Sequence, residues 1–258
     1  MQVLGIDIGG SGIKGAPVDT DRGVMTGERH RIPTPEPSLP DAVGDVIGQI
    51  AAHFEWQEPI GCTFPAVIKA GVAHTAANVD QSWIGTDVAG LIAGKTGCPA
   101  LVVNDADAAG IAEMEFGAGK DHHGVVIMLT FGTGIGTAIF VNRQLLPNTE
   151  LGHMEVRGKE GEYRASDGTR KRRGLSWAEW AVRASEYIQR LDALFWPDLF
   201  VIGGGVSNKA DEFLPLLATR AEIRLAEMKN EAGIIGAALA ARQLAPGALP
   251  EDCRPIRA

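Results

Sequence analysis

The sequence is poor in cysteine and has no long apolar run. Its three cysteines, Cys62, Cys98 and Cys253, are far apart and show no metal-binding spacing. We therefore expect free thiols in a reducing compartment, the cytoplasm. No apolar stretch approaches the roughly 20 residues that cross a bilayer. Strand-like sequence begins at residue 3, so we also expect no signal peptide and no association with membranes.

Excess positive charge is also missing from the chain as a whole. The formal net charge is −8, which argues against general binding to nucleic acid. Residues 157–173, which we call the basic segment, are an exception. They contain seven basic and three acidic residues, a net charge of +4, so the rest of the chain carries −12. Such a run is commonly a solvated, mobile loop; the alternative is a surface that binds an anion.

Glycine is frequent instead, and it is concentrated in two similar segments. Residues 5–15 read GIDIGGSGIKG, and residues 129–138 read LTFGTGIGTA. Each lies between two short strand-like runs, so each predicts a β-hairpin whose tip exposes backbone N–H groups to phosphate oxygens. A Rossmann or Walker loop would lead into a helix, which neither segment does. The predicted phosphate-binding residues are Gly9, Gly10, Ser11 and Gly12 in the first loop, and Gly132, Thr133 and Gly134 in the second.

The pattern over the whole chain predicts an α/β protein of two lobes with a cleft between them. We place the lobes at 1–117 and 118–258 and expect the last helix to pack back on the first lobe. In the first lobe we predict strands near 2–8, 12–18, 28–32, 60–64, 67–74 and 100–103, and helices near 40–54, 87–95 and 104–116. In the second we predict strands near 124–131, 135–142, 199–202 and 221–226, and helices near 175–195, 207–218 and 231–243.

The order of the motifs resembles a known superfamily. The two glycine loops and Gly203-Gly204-Gly205 before a helix resemble the phosphate and adenosine motifs of the actin, hexokinase and heat-shock-chaperone ATPases. Asn104-Asp105 and Glu150-Leu151-Gly152-His153 resemble the sugar-binding signatures of the ROK sugar kinases. Residues 230–238, NEAGIIGAA, are similar to the C-terminal helix of that family. The resemblance covers about residues 3–243 and implies a duplicated, ribonuclease H-like fold of the actin/hexokinase type.

The resemblance also implies roles for the polar residues of the first lobe. Asp105 would be the general base that takes the proton from the 6-hydroxyl of the sugar. Asp7 would hold Mg²⁺ beside the phosphate, although an aspartate there could also cap the turn. Lys14 would neutralise a phosphate or remain a solvated strand lysine. Asn104 would contact the sugar, cap the following helix, or do both. In the second lobe, Gly203, Gly204 and Gly205 would contact phosphate.

A second group of residues is expected at the sugar. Glu150 and His153 offer the donors and acceptors that sugar hydroxyls need. By resemblance, Asn78 and Glu162 join them, with Glu155 and Glu160 as competitors for the place of Glu162. Trp83 is expected in the wall of the sugar pocket or in the core.

One departure from the family pattern points to a particular branch of the ROK kinases. Most ROK kinases follow this histidine with a cysteine-rich zinc loop, but no cysteine lies between Cys98 and Cys253, so we expect no zinc. A lost zinc loop replaced by a basic segment is similar to the polyphosphate-dependent glucokinase branch. That resemblance implies that Arg170, Lys171, Arg172 and Arg173 bind polyphosphate, a flexible polyanion.

The predicted function is therefore a sugar kinase that makes glucose 6-phosphate from glucose and inorganic polyphosphate, with ATP as a second donor. An ATP-dependent kinase of glucose or mannose is the main alternative. A ROK repressor that senses sugar is disfavoured, because those proteins carry an N-terminal helix-turn-helix and this chain starts with a strand. A filament-forming or chaperone ATPase would not need Glu150, His153 and Asn104. The family resemblance implies a homodimer.

Overall fold

The computed structural model describes residues 1–76 and 79–244. Contacts within the chain divide it into two compact units. Unit 1 comprises Met1–Ala112 and the chain from Asn230 onward, and unit 2 comprises Glu113–Lys229. Both units are mixtures of helices and strands, so the α/β prediction is confirmed.

Unit 1 is built on a six-stranded sheet. The strands of the unit are β1 (Gln2–Gly9), β2 (Gly12–Asp19), β3 (Val24–Met25), β4 (His30–Ile32), β5 (Ile60–Phe64), β6 (Ile68–Lys69), β7 (Val72–Ala73) and β8 (Ala100–Asn104). The sheet has the order β3-β2-β1-β5-β8, in which β4 also pairs with β2. β1 and β2 form an antiparallel hairpin, while β5 and β8 run parallel to β1. The first helices are α1 (Pro40–His53), α2 (Val88–Thr96) and α3 (Asp105–Glu115), and the unit boundary falls inside α3.

Unit 2 repeats this plan in a five-stranded sheet with the order β11-β10-β9-β14-β15. The hairpin β9–β10 is antiparallel, and β14 and β15 run parallel to β9. The strands are β9 (Val125–Phe131), β10 (Ile135–Val141), β11 (Gln144–Leu146), β12 (Glu155–Val156), β13 (Lys159–Glu160), β14 (Leu199–Gly203) and β15 (Glu222–Leu225). The helices are α4 (Gly161–Ala165), α5 (Asp167–Arg172), α6 (Trp177–Phe195) and α7 (Ala210–Phe213).

The last helix, α8 (Ala232–Ala241), belongs to unit 1 and packs on β1 and β5. Its sequence consists of glycine, alanine, isoleucine and leucine, and most of it is buried. The strands beneath it carry glycine at the points of closest approach. A Cβ on Gly5 would overlap the carbonyl oxygen of Ile234, and a Cβ on Gly61 would overlap that of Ala237. Glycine in the sheet therefore lets the helix backbone come close.

Aromatic side chains fill both cores. In unit 1, Trp83 is buried against Phe64 with ring centroids 4.4 Å apart, and its indole N–H donates to the carbonyl of Ser38. Trp83 is therefore a core residue, one of its two predicted roles. In unit 2, Trp180 is buried, and Trp177 packs on Trp180 at 5.6 Å between centroids. Cys62 and Cys98 are buried free thiols, whereas Cys253 lies outside the described residues.

Three predicted elements differ from the structure. The helix predicted near 207–218 is wrong: the four-residue α7 lies between 3-10 turns at Gly205–Lys209 and Leu214–Leu216. Pro215 has no N–H to continue a helix. The strand predicted near 67–74 is a hairpin, β6–β7, whose turn residues Ala70 and Gly71 have positive φ. The basic segment is not a bare loop, because it contains β13, α4 and α5.

Within the described ranges, no helix combines the length and the apolar character required to cross a membrane.

Candidate active site

The first glycine loop is the tip of the β1–β2 hairpin. Gly9 pairs with Gly12, which leaves Gly10 and Ser11 as an exposed two-residue turn. The predicted hairpin is therefore confirmed. The hydroxyl of Thr34 donates to the carbonyl of Gly9 at 2.5 Å and fixes the base of the turn.

A cation that the sequence pattern does not predict lies at this loop. Arg31 on β4 pairs in register with Lys14 on β2, and its Nη2 donates to the carbonyl oxygen of Ser11 at 2.7 Å. A Cβ on Gly12 would meet this guanidinium, so glycine makes room for it. Because β4 has only three residues, its sequence pattern is too short to identify Arg31 as a residue of this loop.

Asp7 is held at the end of β1 by a buried threonine. The Thr63 hydroxyl donates to Asp7 Oδ1 at 2.9 Å and accepts from the backbone N–H of Ile8 at 3.1 Å. The other carboxylate oxygen lies 3.5 Å from Lys14 Nζ. Lys14 is therefore paired with Asp7 and is not a free strand lysine. An oriented carboxylate that is only partly neutralised by one lysine fits the oxygen chemistry that Mg²⁺ prefers.

Asp105 is the first residue of α3. Its side chain reaches solvent, but neighbouring protein atoms displace much of its hydration. This desolvation, together with the negative charge of Asp7 and against the opposing hydrogen bond from the Ala106 N–H, raises the pKa of Asp105 to about 6. Asp7 pairs with Thr63 on β5, and Phe64 pairs with Asn104 on β8, so Asp7 and Asp105 lie at the same end of the parallel strands of unit 1.

Asn104 caps the helix that Asp105 begins. Its Oδ1 accepts from the N–H groups of Ala106 at 2.8 Å and Asp107 at 3.2 Å, and its Nδ2 donates to the carbonyl of Ala66 at 3.2 Å. The capping role is thus confirmed, and a sugar contact by Asn104 stays a prediction. Asn78, the other residue of unit 1 predicted to contact the sugar, lies outside the described residues.

In unit 2 the second glycine loop, Gly132–Gly134, joins β9 to β10 as predicted. Two other parts of the unit support it. The N–H of Gly168 on α5 donates to the carbonyl of Gly132 at 2.9 Å. Gly204, with φ of +83°, packs so closely that a Cβ would lie 2.5 Å from the carbonyl oxygen of Phe131. The Gly203–Gly205 turn therefore lies beside the second glycine loop, although only a short 3-10 turn follows it.

The structure brings together an acid–histidine cluster of Glu150, His153, Glu160 and Glu162. His153 Nδ1 lies 3.1 Å from Glu160 Oε2, and its Nε2 lies 3.8 Å from Glu150 Oε2. The hydrogen bond that His153 donates to Glu160 and the charges of the three glutamates raise the pKa of His153 and favour the imidazolium. Glu162 approaches the second glycine loop, where its Oε2 accepts from the N–H of Ile135 at 3.4 Å.

The two glutamates that compete with Glu162 for a sugar contact have different surroundings. Glu160 bonds to the histidine, whereas Glu155 is exposed on β12. Ligand atoms of His153, Glu160 and Glu162 all lie within 4.8 Å of one another, a set that could hold a metal ion. The expected absence of zinc therefore stays a prediction. It rests on the lack of a cysteine cluster, and these three candidate ligands include no cysteine.

The four consecutive basic residues of α5 and its C-cap have different surroundings. Arg170 Nε and Lys171 Nζ both pair with Asp167, at 2.8 Å and 2.7 Å. Arg172 donates to the hydroxyl of Thr169 at 2.9 Å. Their predicted contact with phosphate is not tested by these distances, but only part of the charge is available to a ligand.

The sheets of the two units repeat one plan, and each contains a glycine hairpin. This duplication is the actin/hexokinase-like fold class. Residues 3–174 match the model of the ROK family, and the chain belongs to that family.

Three relatives extend the comparison. The chain is 47% identical to a polyphosphate glucokinase of Mycobacterium tuberculosis (strain CDC 1551 / Oshkosh) over 238 residues, 92% of this chain and 90% of the relative. The crystal structure of an inorganic polyphosphate/ATP-glucomannokinase from Arthrobacter sp. strain KM matches with a TM-score of 0.88 at 46% identity, covering 92% of this chain and 97% of that one. A ROK family glucokinase from Streptomyces griseus, in complex with glucose and AMPPNP, matches with a TM-score of 0.80 at 25% identity, covering 94% and 100%.

Proposed function

We propose that this protein is a glucokinase that transfers a phosphoryl group from inorganic polyphosphate to the 6-hydroxyl of glucose. The observation that carries the choice of reaction is the 47% identity to a polyphosphate glucokinase over 92% of the chain. The geometry of unit 1 supports it, because a carboxylate at a helix start lies near a phosphate-type hairpin. ATP is the second candidate donor, and mannose the second candidate acceptor, since the Arthrobacter relative is a polyphosphate/ATP-glucomannokinase.

Asp105 is the proposed general base. Accepting a proton from an alcohol requires an ionised carboxylate whose pKa is close to the working pH. Desolvation brings the pKa of Asp105 to about 6, so the group is largely ionised near pH 7 and is a stronger base than an ordinary aspartate. The Ala106 N–H donates to Asp105 Oδ1 at 2.9 Å and orients the carboxylate at the start of the helix.

The donor's phosphates are assigned to the glycine loops. In unit 1, exposed N–H groups of Gly10 and Ser11 would bind phosphate oxygens, with Lys14 and Arg31 supplying positive charge. Asp7 would hold Mg²⁺, which neutralises charge on phosphate oxygens when bound. In unit 2 the second glycine loop and the Gly203–Gly205 turn take the equivalent role.

The acid–histidine cluster is the proposed source of the sugar contacts in unit 2. A charged imidazole donates hydrogen bonds and carboxylates accept them, the combination that hydroxyl groups of a hexose need. Glu150, His153 and Glu162 take this role, and Glu160 holds the histidine through its hydrogen bond.

Three further expectations belong to this proposal. The buried free thiols Cys62 and Cys98 are consistent with a cytoplasmic protein. A homodimer is expected from the family resemblance, and the net charge of −8 makes nucleic acid an unsuitable partner. The protein is expected to work without zinc. Elemental analysis of the purified enzyme checks this, and one zinc per chain would point to His153, Glu160 and Glu162 as ligands.

The experiment that tests the function is an initial-rate assay of the purified chain with glucose. Long-chain polyphosphate and ATP are compared as donors, and mannose is compared with glucose as acceptor. We expect turnover with polyphosphate and glucose. Turnover with ATP alone would favour an ATP-dependent kinase, and absence of turnover with either donor would leave a sugar sensor as the better explanation.

A further inference from the structure

The basic segment contains two kinds of cation. Arg170 and Lys171 are bound to the buried carboxylate of Asp167, and the guanidinium of Arg170 lies 3.9 Å from the ring centroid of Trp177. Asp167 therefore neutralises one of these two positive charges within the protein. Stacking on the tryptophan adds a cation–π contact that anchors α5 to α6.

Other cations of the basic segment line an open cavity of about 540 Å³. Its walls are Lys159, Tyr163, Thr169, Arg172 and Arg173, and we call it the basic cavity. Throughout residues 1–76 and 79–244, no carboxylate forms an ion pair with Lys159, Arg172 or Arg173. Three uncompensated cations around one concave surface produce a positive potential that attracts anions.

One wall of this cavity is pre-organised by a buried hydroxyl. Thr169 is 1% exposed, donates to the carbonyl of Glu162 at 3.1 Å and accepts from Arg172 Nη2 at 2.9 Å. Ser166, which caps α5, donates to the same hydroxyl at 3.1 Å. Because these bonds hold the Arg172 side chain against the helix, less conformational entropy is lost when a ligand binds it.

The same helix connects the cavity to the second glycine loop. The N–H of Gly168 donates to the carbonyl of Gly132, and a Cβ on Gly168 would lie 2.6 Å from the carbonyl oxygen of Thr133 and 3.2 Å from Arg172 Nη1. A single glycine thus separates the loop backbone from the Arg172 guanidinium. An anionic chain that starts at the loop can continue directly onto Arg172.

We propose that the basic cavity binds the internal phosphates of a linear condensed phosphate whose end lies at the second glycine loop. This inference rests on the proposed function, and it assigns the polyphosphate-specific charge to Lys159, Arg172 and Arg173 and not to the whole run 170–173. Each added phosphate brings about one negative charge, so a long chain gains contacts here. ATP has three phosphates followed by an uncharged nucleoside, and it gains none.

The test is a binding titration of the full chain with long-chain polyphosphate, by calorimetry without glucose, at several salt concentrations. The variant Arg172→Gln/Arg173→Gln is compared with Lys120→Gln/Arg190→Gln, which removes two exposed positive charges elsewhere in unit 2. We expect the first pair to weaken binding on the order of tenfold and to reduce the log–log salt slope by about 1.4, as for two lost contacts to a single-stranded polyanion. The control should stay within about twofold of wild type. Lys159→Gln should give a smaller loss in the same direction.

The outcomes separate this inference from the proposed function. If wild type binds polyphosphate and both double variants bind it equally well, the basic cavity is not the site, whatever the donor of the reaction is. Polyphosphate that does not bind wild type at all also overturns it. If polyphosphate binds through Arg172 and Arg173 but no phosphate reaches glucose, the site is supported and the proposed reaction is wrong. Rates with ATP, measured on the same samples, should fall much less in the cavity variant than rates with polyphosphate.

Discussion

Asp105 combines a helix-start position, partial desolvation and a neighbouring carboxylate. Replacing Asp105 by Asn should keep the fold and the affinity for glucose but lower kcat by about 10² or more, because a positioned base contributes on that order. Asp87→Asn is the matched control, since Asp87 caps α2 through the N–H of Gly90 and asparagine caps equally well. Near-normal turnover of Asp105→Asn would remove Asp105 from the catalytic role.

The raised pKa of Asp105 predicts that the rate falls as the pH is lowered. Its pKa is raised to about 6, so the uncharged form is favoured as the pH falls through 6, and only the ionised form accepts a proton. Plotted against pH, kcat/KM for glucose should therefore fall with unit slope below about pH 6. An ordinary aspartate would hold its rate down to about pH 4. The residual activity of Asp105→Asn, measured over the same pH range, is the control. If protonation of the phosphate donor caused the fall in rate, the variant would show the same fall.

Glu150 and His153 are predicted to contribute mainly to sugar binding. Glu150→Gln and His153→Gln should each raise the KM for glucose with a smaller loss of kcat, because they remove hydrogen bonds made in both the ground and transition states. His122→Gln, which alters a histidine paired with Glu222, should leave the KM unchanged. Calorimetry that shows unchanged glucose affinity in both cluster variants would contradict the assignment.

At the scale of elements, α8 depends on glycine in the strands beneath it. Gly61→Ala places a methyl group against the carbonyl oxygen of Ala237, which is backbone and cannot turn aside. We expect a loss of about 2 kcal/mol or more in the free energy of unfolding, at the upper end of the usual overpacking cost. Gly94→Ala, on the open face of α2 with nothing within 4 Å of the new Cβ, should be neutral or slightly stabilising. Denaturant titrations of both variants check this, and equal stability would contradict it.

The elements also show which parts of the fold are readable from sequence. Both glycine hairpins and α2 with its Asp87 cap follow from local patterns, because turn glycines and cap residues act over a few positions. α5 was not predictable in this way. It has six residues and four charges, and no apolar period marks it. Its helix depends on the Ser166 cap and on tertiary contacts to α6, which no local pattern reveals.

The candidate site was predictable to a similar extent. Asp7, Asp105 and the Glu150–His153 pair lie in recognisable motifs, so the sequence alone singles them out. Arg31 was not, because its contact with Ser11 depends on the pairing of β4 with β2. The basic residues also differ in their partners: Arg170 and Lys171 share the carboxylate of Asp167, whereas Arg172 bonds to the hydroxyl of Thr169. This difference depends on side-chain geometry that a run of basic residues in the sequence does not reveal.

For the whole molecule, duplication of one sheet plan is the main architectural feature. The hairpin β1–β2 with its parallel strands β5 and β8 has the same pairing as β9–β10 with β14 and β15. Each copy presents a glycine loop, but the polar residues around the loops differ. Unit 1 carries the aspartates proposed for catalysis and Mg²⁺, whereas unit 2 carries the acid–histidine cluster and the basic cavity. The residues proposed for the reaction are therefore distributed over both units.

The central claim is that phosphate passes from polyphosphate to the 6-hydroxyl of glucose. The most direct measurement is ³¹P NMR of the purified enzyme with glucose, Mg²⁺ and long-chain polyphosphate, run beside the Asp105→Asn variant. The account predicts that a glucose 6-phosphate resonance grows as polyphosphate signal declines, with little orthophosphate, and that this growth is about 10² slower in the variant. Release of orthophosphate without a sugar phosphate, or an unchanged spectrum from the folded wild-type enzyme, would contradict it.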